Sequence, residues 1–299
     1  MYDIIGDIHG HADKLIELLE RLGYEEKNGV WSHSERTLIS VGDLVDRGPL
    51  QKESVDIIRA MVESGNALCI MGNHEFNAVA YASTGQDGNF LREHSPKNFK
   101  QHEAFLLEAK ADPEWYSSTI EWFKQLPMYI DLPECRVVHA CWHDASLEVL
   151  KKYSTNGVLN NDVWEAATTK GHELYDAIEV LCKGWEISLP EGYAFFDKDN
   201  NERTHIRTRW WQEDKTDYRS LSIGIKDTSV LPNIDIPGDA MPGYDNQKPL
   251  FIGHYWMQGT PSLQSKTIAC LDWSVAKNGP MVGYRLDTHK LKNDNFIAV

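Results

Sequence analysis

Three short glycine-flanked segments in the first part of the chain concentrate side chains that can bind metal ions. They lie at residues 6–10 (GDIHG), 42–48 (GDLVDRG) and 72–75 (GNHE). Their Asp, Asn and His side chains offer oxygen and imidazole donors, which suit Mn, Fe, Zn or Mg rather than a thiolate site. Two such ions about 3.5 to 4 Å apart lower the pKa of a shared water and neutralise phosphoryl oxygens. The pattern therefore predicts a dimetal site that hydrolyses a phosphate ester or anhydride.

Two later histidines occupy the same kind of position. His139 follows a strand-like run at 135–138, and His254 follows the apolar run at 250–252 after one glycine. Asp43 lies beside ligands of both kinds, so its carboxylate could bridge two metals. The predicted metal-binding residues are Asp7, His9, Asp43, Asn73, His139 and His254.

The elements that must position these residues alternate between strand and helix. Apolar runs predict buried strands at 2–5, 37–41 and 67–71, each followed by one of the three segments. Apolar residues at helical spacing predict helices at 15–22 and 53–62 between the strands. This order predicts a mostly parallel sheet covered by helices, with a ligand crevice at the carboxyl ends of its strands.

The rest of the chain is less regular. Residues 76–125 are predicted to be helical, and later strands are predicted at 136–139, 250–252, 267–271 and 281–286, the last three antiparallel. Residues 144–247 form a mixed block with a DKDNNE turn at 197–202 and many aromatic residues. No flexible linker separates this block, and His254 follows it. We therefore expect a single domain over residues 1–299 with an elaborated insertion at about 144–247.

Composition narrows the possible partners and compartment. The formal net charge is −15, whereas non-specific nucleic-acid binding depends on clustered Lys and Arg. The same charge argues against binding to an anionic membrane. Five cysteines without regular spacing predict reduced thiols, and the first residues do not resemble a signal peptide. We expect a cytoplasmic protein that binds neither nucleic acid non-specifically nor a membrane.

In this order, GDIHG, GDLVDRG, GNHE, VHA and IGH resemble the motifs of the calcineurin-like metallophosphoesterases. More narrowly, they resemble the phosphoprotein-phosphatase-like branch, which includes bacterial protein phosphatases and diadenosine tetraphosphatases. The resemblance covers both ends of the chain and one segment of the middle block. It implies an α/β fold, a four-layer α/β/β/α sandwich of two mixed sheets.

The resemblance also implies a pair of divalent transition-metal ions. Manganese is the first choice, and Fe/Zn or Mg are the alternatives. A hydroxide bridging the metals would attack phosphorus directly, without a covalent enzyme intermediate. Asp7 and His9 would hold the first metal, and Asp43 would bridge the two metals. The second metal would be held by Asn73, His139 and His254.

Catalytic and substrate-binding roles follow from the same resemblance. His74 would be the general acid that protonates the leaving oxygen, oriented by Asp46, and Arg47 would bind the phosphate. A second phosphate-binding arginine is expected within residues 205–211 (HIRTRWW), which resemble a segment of the diadenosine tetraphosphatases. Arg207 and Arg209 share one face at strand spacing, and Arg207 is preferred.

Aromatic side chains near the predicted site are candidates for substrate contact. Tyr255 and Trp256 follow His254 directly, so they are expected near the metals. Aromatic residues of the middle block, such as Trp210 and Trp211, could stack on an adenine. His143 is expected to be an exposed loop residue rather than part of the site.

The residues leave the substrate open between two main classes. Residues 252–259 (IGHYWMQG) resemble a segment of the symmetrical diadenosine tetraphosphatases, but that subgroup often lacks the Asp that Asp46 supplies here. A His74–Asp46 pair helps a poor leaving group to depart, so we expect phosphomonoesters, with Ser/Thr phosphoproteins among them. The partner would be a phosphorylated protein or a small phosphate compound. The alternatives are a dinucleoside polyphosphate such as diadenosine tetraphosphate, a short phosphodiester, and a non-catalytic metal-binding interaction scaffold.

Overall fold

The structure, a computed structural model, describes residues 1–196 and 201–299. Most of the turn predicted at 197–202 therefore lies outside the described residues. Three short 3-10 helices lie at Thr228–Val230, Val275–Lys277 and Asn293–Asn295. The α-helices in the described ranges are α1 (Ala12–Leu22), α2 (Gln51–Glu63), α3 (Asn73–Ala82), α4 (Pro96–Ala111), α5 (Pro113–Phe123), α6 (Asp144–Lys151), α7 (Trp164–Thr168), α8 (Glu173–Lys183) and α9 (Tyr218–Leu221).

Two larger sheets and several hairpins contain the strands. The first sheet consists of β1 (Tyr2–Ile5), β4 (Thr37–Ser40), β5 (Ala67–Cys69), β16 (Val282–Leu286) and β17 (Phe296–Ala298). The second sheet consists of β6 (Tyr129–Asp131), β7 (Arg136–Val138), β14 (Leu250–Ile252) and β15 (Ile268–Cys270). The two-stranded pairs are β2 (Glu25–Lys27) with β3 (Val30–Ser32), β8 (Ser154–Thr155) with β9 (Val158–Leu159), β10 (Glu186–Ser188) with β13 (His205–Arg207), and β11 (Phe195–Phe196) with β12 (Glu202–Arg203).

The first sheet has the order β17-β16-β1-β4-β5. Strands β1, β4 and β5 are parallel, as the alternation of strands and helices predicts. Strand β16 runs antiparallel to both β1 and β17, which confirms the antiparallel strand expected at 281–286. The carboxyl ends of the three parallel strands therefore lie at one edge of this sheet.

The second sheet has the order β15-β14-β7-β6 and corrects one prediction. Strand β14 pairs in parallel with both β7 and β15, whereas the sequence analysis expected β14 and β15 to be antiparallel. The connection at 253–267 is long enough for a crossover, which a parallel pair requires at about a dozen residues or more. This crossover carries His254.

Side-chain alternation along the strands divides the interior into layers. Phe251 of β14 and Ile39 of β4 belong to the cluster between the two sheets, while Leu250 and Ile252 face the larger cluster on the opposite side. Helices α1 and α2 cover the outer face of the first sheet, and α6 and α8 pack together beside the second. The result is the predicted four-layer sandwich of two mixed sheets.

The part of the chain between β5 and β6 forms helices, as expected for 76–125. Helix α4 begins where the Ser95 hydroxyl accepts the backbone N–H of Asn98 at 3.3 Å, with Pro96 in the first helical position. Asp112 caps α5 in the same way, by accepting the backbone N–H of Trp115 at 3.0 Å. These caps fix the start of both helices, and α4 lies against α2 and α5.

The block at 144–247 packs in two ways. Its first half packs in the main core, together with Trp210 and Trp211 from its second half. Other residues of the second half form a small apolar cluster of their own, centred on Ile206 and Tyr218. All five cysteines are buried free thiols. In the described part of the chain, no helix combines the length and apolar character that a membrane span requires.

Candidate metal centre

The residues predicted to bind metals lie in loops that leave the carboxyl ends of strands. The first three loops follow β1, β4 and β5, which are adjacent and parallel. The loops after β7 and β14 reach the same edge from the second sheet, where the N–H of Gly253 donates to the carbonyl of His139 at 2.9 Å. All six predicted ligands are buried there.

The Asp43 carboxylate lies in the middle of this cluster. Its Oδ2 atom is 3.7 Å from Nε2 of His9 and 3.3 Å from Nε2 of His139. The potential ligand atoms of His9, Asp43 and His74 lie within 4.8 Å of one another, and so do those of Asp43, His139 and His254. Asp43 belongs to both groups, which is the placement expected of a bridging carboxylate.

Asn73 and Asp7 complete the cluster, and both contact His254. Oδ1 of Asn73 is 2.7 Å from Nδ1 of His254 and 3.2 Å from Nε2 of His139. Oδ2 of Asp7 is 3.8 Å from Nε2 of His9, and the same carboxylate accepts the backbone N–H of His254 at 3.2 Å. The fold thus brings together all six side chains that the sequence analysis selected.

Backbone carbonyls orient two of the histidines. Nδ1 of His9 donates to the carbonyl of Val45 at 3.0 Å, and Nδ1 of His139 donates to the carbonyl of Val41 at 2.7 Å. Because a carbonyl only accepts, each ring in its neutral form has its lone pair on Nε2, which faces the cluster. This is the second hydrogen bond that metal-binding histidines ordinarily make.

Two properties of the cluster fit a bound cation. Nε2 of His9 and Nε2 of His254 are buried and have no hydrogen-bond partner among the described residues. Carboxylates are also crowded, so that burial and then the charges of Asp272 and Asp43 raise the pKa of Asp7 well above its ordinary value. A divalent ion would accept the lone pairs and offset the crowded negative charge.

The loops around the cluster are strained. Non-glycine residues there adopt left-handed backbone angles, each at a cost of about 1 kcal/mol or more. Such strain concentrates at functional sites, where the surrounding structure holds the conformation. The residues are His9 (φ 48°), Asp43 (φ 54°), Asp46 (φ 69°), Arg47 (φ 80°), His254 (φ 70°) and Trp256 (φ 52°).

Two glycines allow the loops to approach the ligands closely. A Cβ atom on Gly72 would lie 2.2 Å from Oδ1 of Asp43, and one on Gly253 would lie 2.2 Å from Oδ1 of Asp7. Both distances are shorter than any ordinary contact. Glycine is therefore required at 72 and 253 for steric reasons, independently of its backbone freedom.

Glu75 links the second and third motif loops, a role that the sequence analysis did not assign. Its side chain is fully buried, and its two oxygens accept the backbone N–H groups of Asp43, Leu44 and Gly72 at 2.8 to 2.9 Å. Burial and then the nearby charge of Asp43 raise the pKa of Glu75 to about 7. The GNHE sequence could have suggested this role, since Glu at the third position of a helix can cap the preceding loop.

The predicted general acid and its partner are in contact. Nδ1 of His74 lies 2.5 Å from Oδ2 of Asp46, and Nε2 of His74 lies 3.8 Å from Oδ2 of Asp43. Burial alone would lower the pKa of His74, but the carboxylates of Asp43 and Asp46 raise it to about 9. The ring is therefore held in its protonated form, which can donate a proton. His102, which the sequence analysis missed, binds the other oxygen of Asp46 at 2.7 Å.

Arg47 and Trp256 lie together at the edge of the cluster. The Arg47 guanidinium is 5.8 Å from the centre of the Trp256 ring, and that ring is 5.8 Å from the ring of His9. Lys277 approaches the same Trp256 ring at 3.9 Å. Trp256 is thus the aromatic residue beside the cluster, and two cations flank it.

The two arginines of β13 and its continuation differ in their surroundings. The charge of Arg207, after burial, contributes to the lowered pKa of His254, and its guanidinium lies 3.7 Å from Glu186. Nε of Arg207 is buried without a hydrogen-bond partner in the described part of the chain. Arg209 has no such relation to the cluster among the described residues. The charge of Arg207 therefore acts on one of the metal-binding side chains.

Other aromatic and histidine candidates lie outside the cleft. Tyr255 is buried, and its hydroxyl donates to the carbonyl of Ala140 at 3.1 Å while accepting Nε1 of Trp210 at 2.9 Å. Trp210 and Trp211 are also buried. Tyr255 lies near the cluster as expected, with its ring 5.7 Å from that of His254, but it is buried and packs in the core. His143 is half-buried at the start of α6 and packs on Trp185.

Comparison with known proteins identifies the family. The calcineurin-like phosphoesterase family matches residues 2–221, most of the chain. The chain belongs to the calcineurin-like phosphoesterases, which confirms the family resemblance, and the first four motifs lie within the matched residues.

Curated relatives are similar to this chain over less than half of its length. An asymmetrical bis(5'-nucleosyl)-tetraphosphatase PrpE of Halalkalibacterium halodurans is 34% identical over 138 residues, which is 46% of this chain and 54% of the relative. The protein of that name from Bacillus velezensis is 49% identical over 74 residues, 24% of this chain and 30% of the relative. The chain thus matches about half of the length of these relatives or less.

Solved structures share the fold. A cold-active protein-tyrosine phosphatase from a psychrophilic Shewanella species has a TM-score of 0.53 and 17% identity, over 99% of this chain and 79% of that one. At this identity, the similarity supports the fold alone.

Proposed function

We propose that this protein is a metal-dependent phosphoesterase whose six clustered ligands hold two divalent ions. The single observation that carries the proposal is the cluster around Asp43, with bare imidazole nitrogens on His9 and His254. Oxygen and imidazole donors suit Mn, Fe, Zn or Mg, and we propose manganese as the first choice. Bound ions would lower the pKa of a water and neutralise charge on the phosphoryl oxygens.

The chain's own residues would handle the phosphate and the leaving group. Arg47, exposed at the edge of the cluster, presents a planar fork of donors suited to a phosphate. Arg207 would bind it from the side of His254. His74, held protonated by Asp43 and Asp46, would donate its proton to the departing oxygen.

The His74–Asp46 contact supports phosphomonoesters as the first candidate substrates, with Ser/Thr phosphoproteins among them. An alkoxide is a poor leaving group, so proton donation matters most for alkyl phosphates. The contact joins a buried imidazole to a buried carboxylate, which supports a charge-assisted pair. A phosphorylated protein or a small phosphate compound would be the partner.

Dinucleoside polyphosphates are the second candidate. The curated relatives support it, because they are named bis(5'-nucleosyl)-tetraphosphatases. Trp256 beside the cluster offers one aromatic face on which a base could stack. The buried Trp210 and Trp211 offer none.

Steady-state assays of the Mn-loaded protein would separate these candidates. The substrates are a phosphoserine peptide, diadenosine tetraphosphate and bis-p-nitrophenyl phosphate. The first proposal predicts the highest kcat/KM for the phosphopeptide. Turnover of the dinucleotide alone would overturn the phosphomonoester preference, and hydrolysis of none of the three would favour a binding scaffold.

A further inference from the structure

One carboxylate in the site binds two histidines. Oδ2 of Asp46 lies 2.5 Å from Nδ1 of His74, and Oδ1 of Asp46 lies 2.7 Å from Nδ1 of His102. His102 belongs to α4, far from the motifs in sequence, and only 4% of the residue is exposed. The two imidazoles therefore hold opposite sides of the same carboxylate.

The surroundings of His102 indicate which proton it carries. Nδ1 must donate, because a carboxylate only accepts. Nε2 is buried and lacks a hydrogen-bond partner among the described residues, and the ring packs on Phe105 at 5.0 Å and Tyr81 at 5.5 Å. A second N–H would be an unsatisfied buried donor on a charged ring, which is costly. The geometry thus gives the His102 ring one hydrogen bond, which Nδ1 donates to Asp46.

Asp46 depends on such support. Its backbone is left-handed at φ 69°, and its N–H donates to the side-chain oxygen of Gln51 at 2.6 Å. Burial would raise the pKa of Asp46, but the hydrogen bonds from His102 and then His74 hold it well below its usual range. Without His102, one carboxylate oxygen would be buried with no donor and the carboxylate could rotate.

We propose that His102 is a positioning residue for phosphoester hydrolysis. It fixes the Asp46 carboxylate, and that carboxylate aims His74 at the leaving oxygen. The inference rests on the proposed role of His74 as proton donor. A residue that acts in this way affects poor leaving groups more than good ones, whereas a residue that only stabilises the fold affects both equally.

The test compares hydrolysis of phosphoserine with that of p-nitrophenyl phosphate by the Mn-loaded full chain. The readout is the kcat for phosphoserine divided by the kcat for p-nitrophenyl phosphate. This ratio cancels any difference in the amount of active protein. His102→Asn keeps an amide donor near the position of Nδ1, while His102→Gln places it near Nε2. We expect the ratio to fall about tenfold in His102→Gln, which is a part of the roughly 10²- to 10⁴-fold that general acid catalysis contributes, and to stay near the wild-type value in His102→Asn.

Phe105→Leu provides a matched control. Phe105 is buried one helical turn away and touches the His102 ring, so its truncation disturbs the same packing without removing a donor to Asp46. We expect both kcat values of this variant to change in parallel. An unchanged ratio in His102→Gln, or an equal fall in Phe105→Leu, would overturn the inference.

His74→Asn distinguishes failure of this inference from failure of the proposed function. A lower ratio in His74→Asn with no change in His102→Gln would refute only the role of His102. An unchanged ratio in His74→Asn would refute the proton-donor role and, with it, the positioning role. His102→Asn and His102→Gln are close in size and polarity. The comparison between them therefore remains decisive if a variant with a smaller side chain, such as His102→Ala, fails to fold.

Discussion

Arg207 and Arg209 are the two candidate phosphate-binding arginines. They lie two positions apart in sequence but have different surroundings in the structure. Arg207 influences His254 electrostatically and has a buried nitrogen without a partner in the described residues. Arg209 shows neither property. The strand period gave both the same face, so only the three-dimensional arrangement distinguishes them.

Replacing Arg207 tests this distinction. We expect Arg207→Gln to raise KM for p-nitrophenyl phosphate about tenfold, because a charge-assisted hydrogen bond contributes about 1.5 to 3 kcal/mol. Arg209→Gln is the matched control and should leave KM within about twofold, since it removes the same charge two positions away. Steady-state kinetics measures both. A larger increase in KM for Arg209→Gln would reverse the assignment.

The sequence predicted which six side chains the fold brings together, because each motif is local. A glycine-flanked Asp or His after an apolar strand carries its own positional information. His102 had no such signal, because its contact with Asp46 joins residues 56 positions apart. The neighbouring His254 predicted that Tyr255 and Trp256 lie near the cluster, but it could not predict that Tyr255 is buried in the core.

At the scale of elements, the first turn of α3 lies in the third motif and contacts the loop that carries the second motif. Glu75 in its first turn accepts three backbone N–H groups and so joins the loops after β4 and β5. These loops carry Asp43 and Asn73. The geometry of the ligands thus depends on one buried carboxylate that is not itself among the six proposed ligands.

Glu75→Gln tests that dependence. The amide would replace one acceptor oxygen with a donor that faces backbone N–H groups, so we expect the free energy of unfolding to fall by about 1 to 3 kcal/mol. Urea denaturation of the metal-free protein measures this change. Glu103→Gln, on an exposed face of α4, should change it by no more than about 0.5 kcal/mol. Equal effects of the two substitutions would contradict the role of Glu75.

Element prediction succeeded where local pattern suffices and failed where pairing is non-local. Strands β1 and β14 have the predicted bounds, and helices fill the region after the third motif. The direction of β15 was wrong, because apolar composition does not reveal which way neighbouring strands run. The length of the connection at 253–267 was the available signal.

For the whole molecule, charge and metal binding are connected. The formal net charge is −15, and several of the acids crowd together at the cluster, where burial raises the pKa of Asp272 to about 6. We propose that residues 1–299 form one domain with an elaborated insertion at about 144–247. The tryptophans of this insertion lie in the main core, which supports that proposal.

Metal binding should therefore stabilise the whole fold. We expect Mn to raise Tm of the metal-free protein, since a ligand at 100 times its Kd contributes about 2.7 kcal/mol. Thermal unfolding after chelation and after Mn addition measures this effect. Asp43→Asn removes the carboxylate common to both ligand groups, so Mn should raise its Tm far less. Equal increases in the two proteins would place metal binding elsewhere.

The most direct test of the account is metal content measured together with turnover. Purified protein loaded with Mn should hold about two ions per chain and hydrolyse a phosphate ester, and Asp43→Asn should lose both properties. Asp13→Asn, which changes an exposed side chain of α1, should retain both properties. Stoichiometric metal in Asp43→Asn, or a fully loaded wild-type protein that hydrolyses no phosphate compound, would contradict the account.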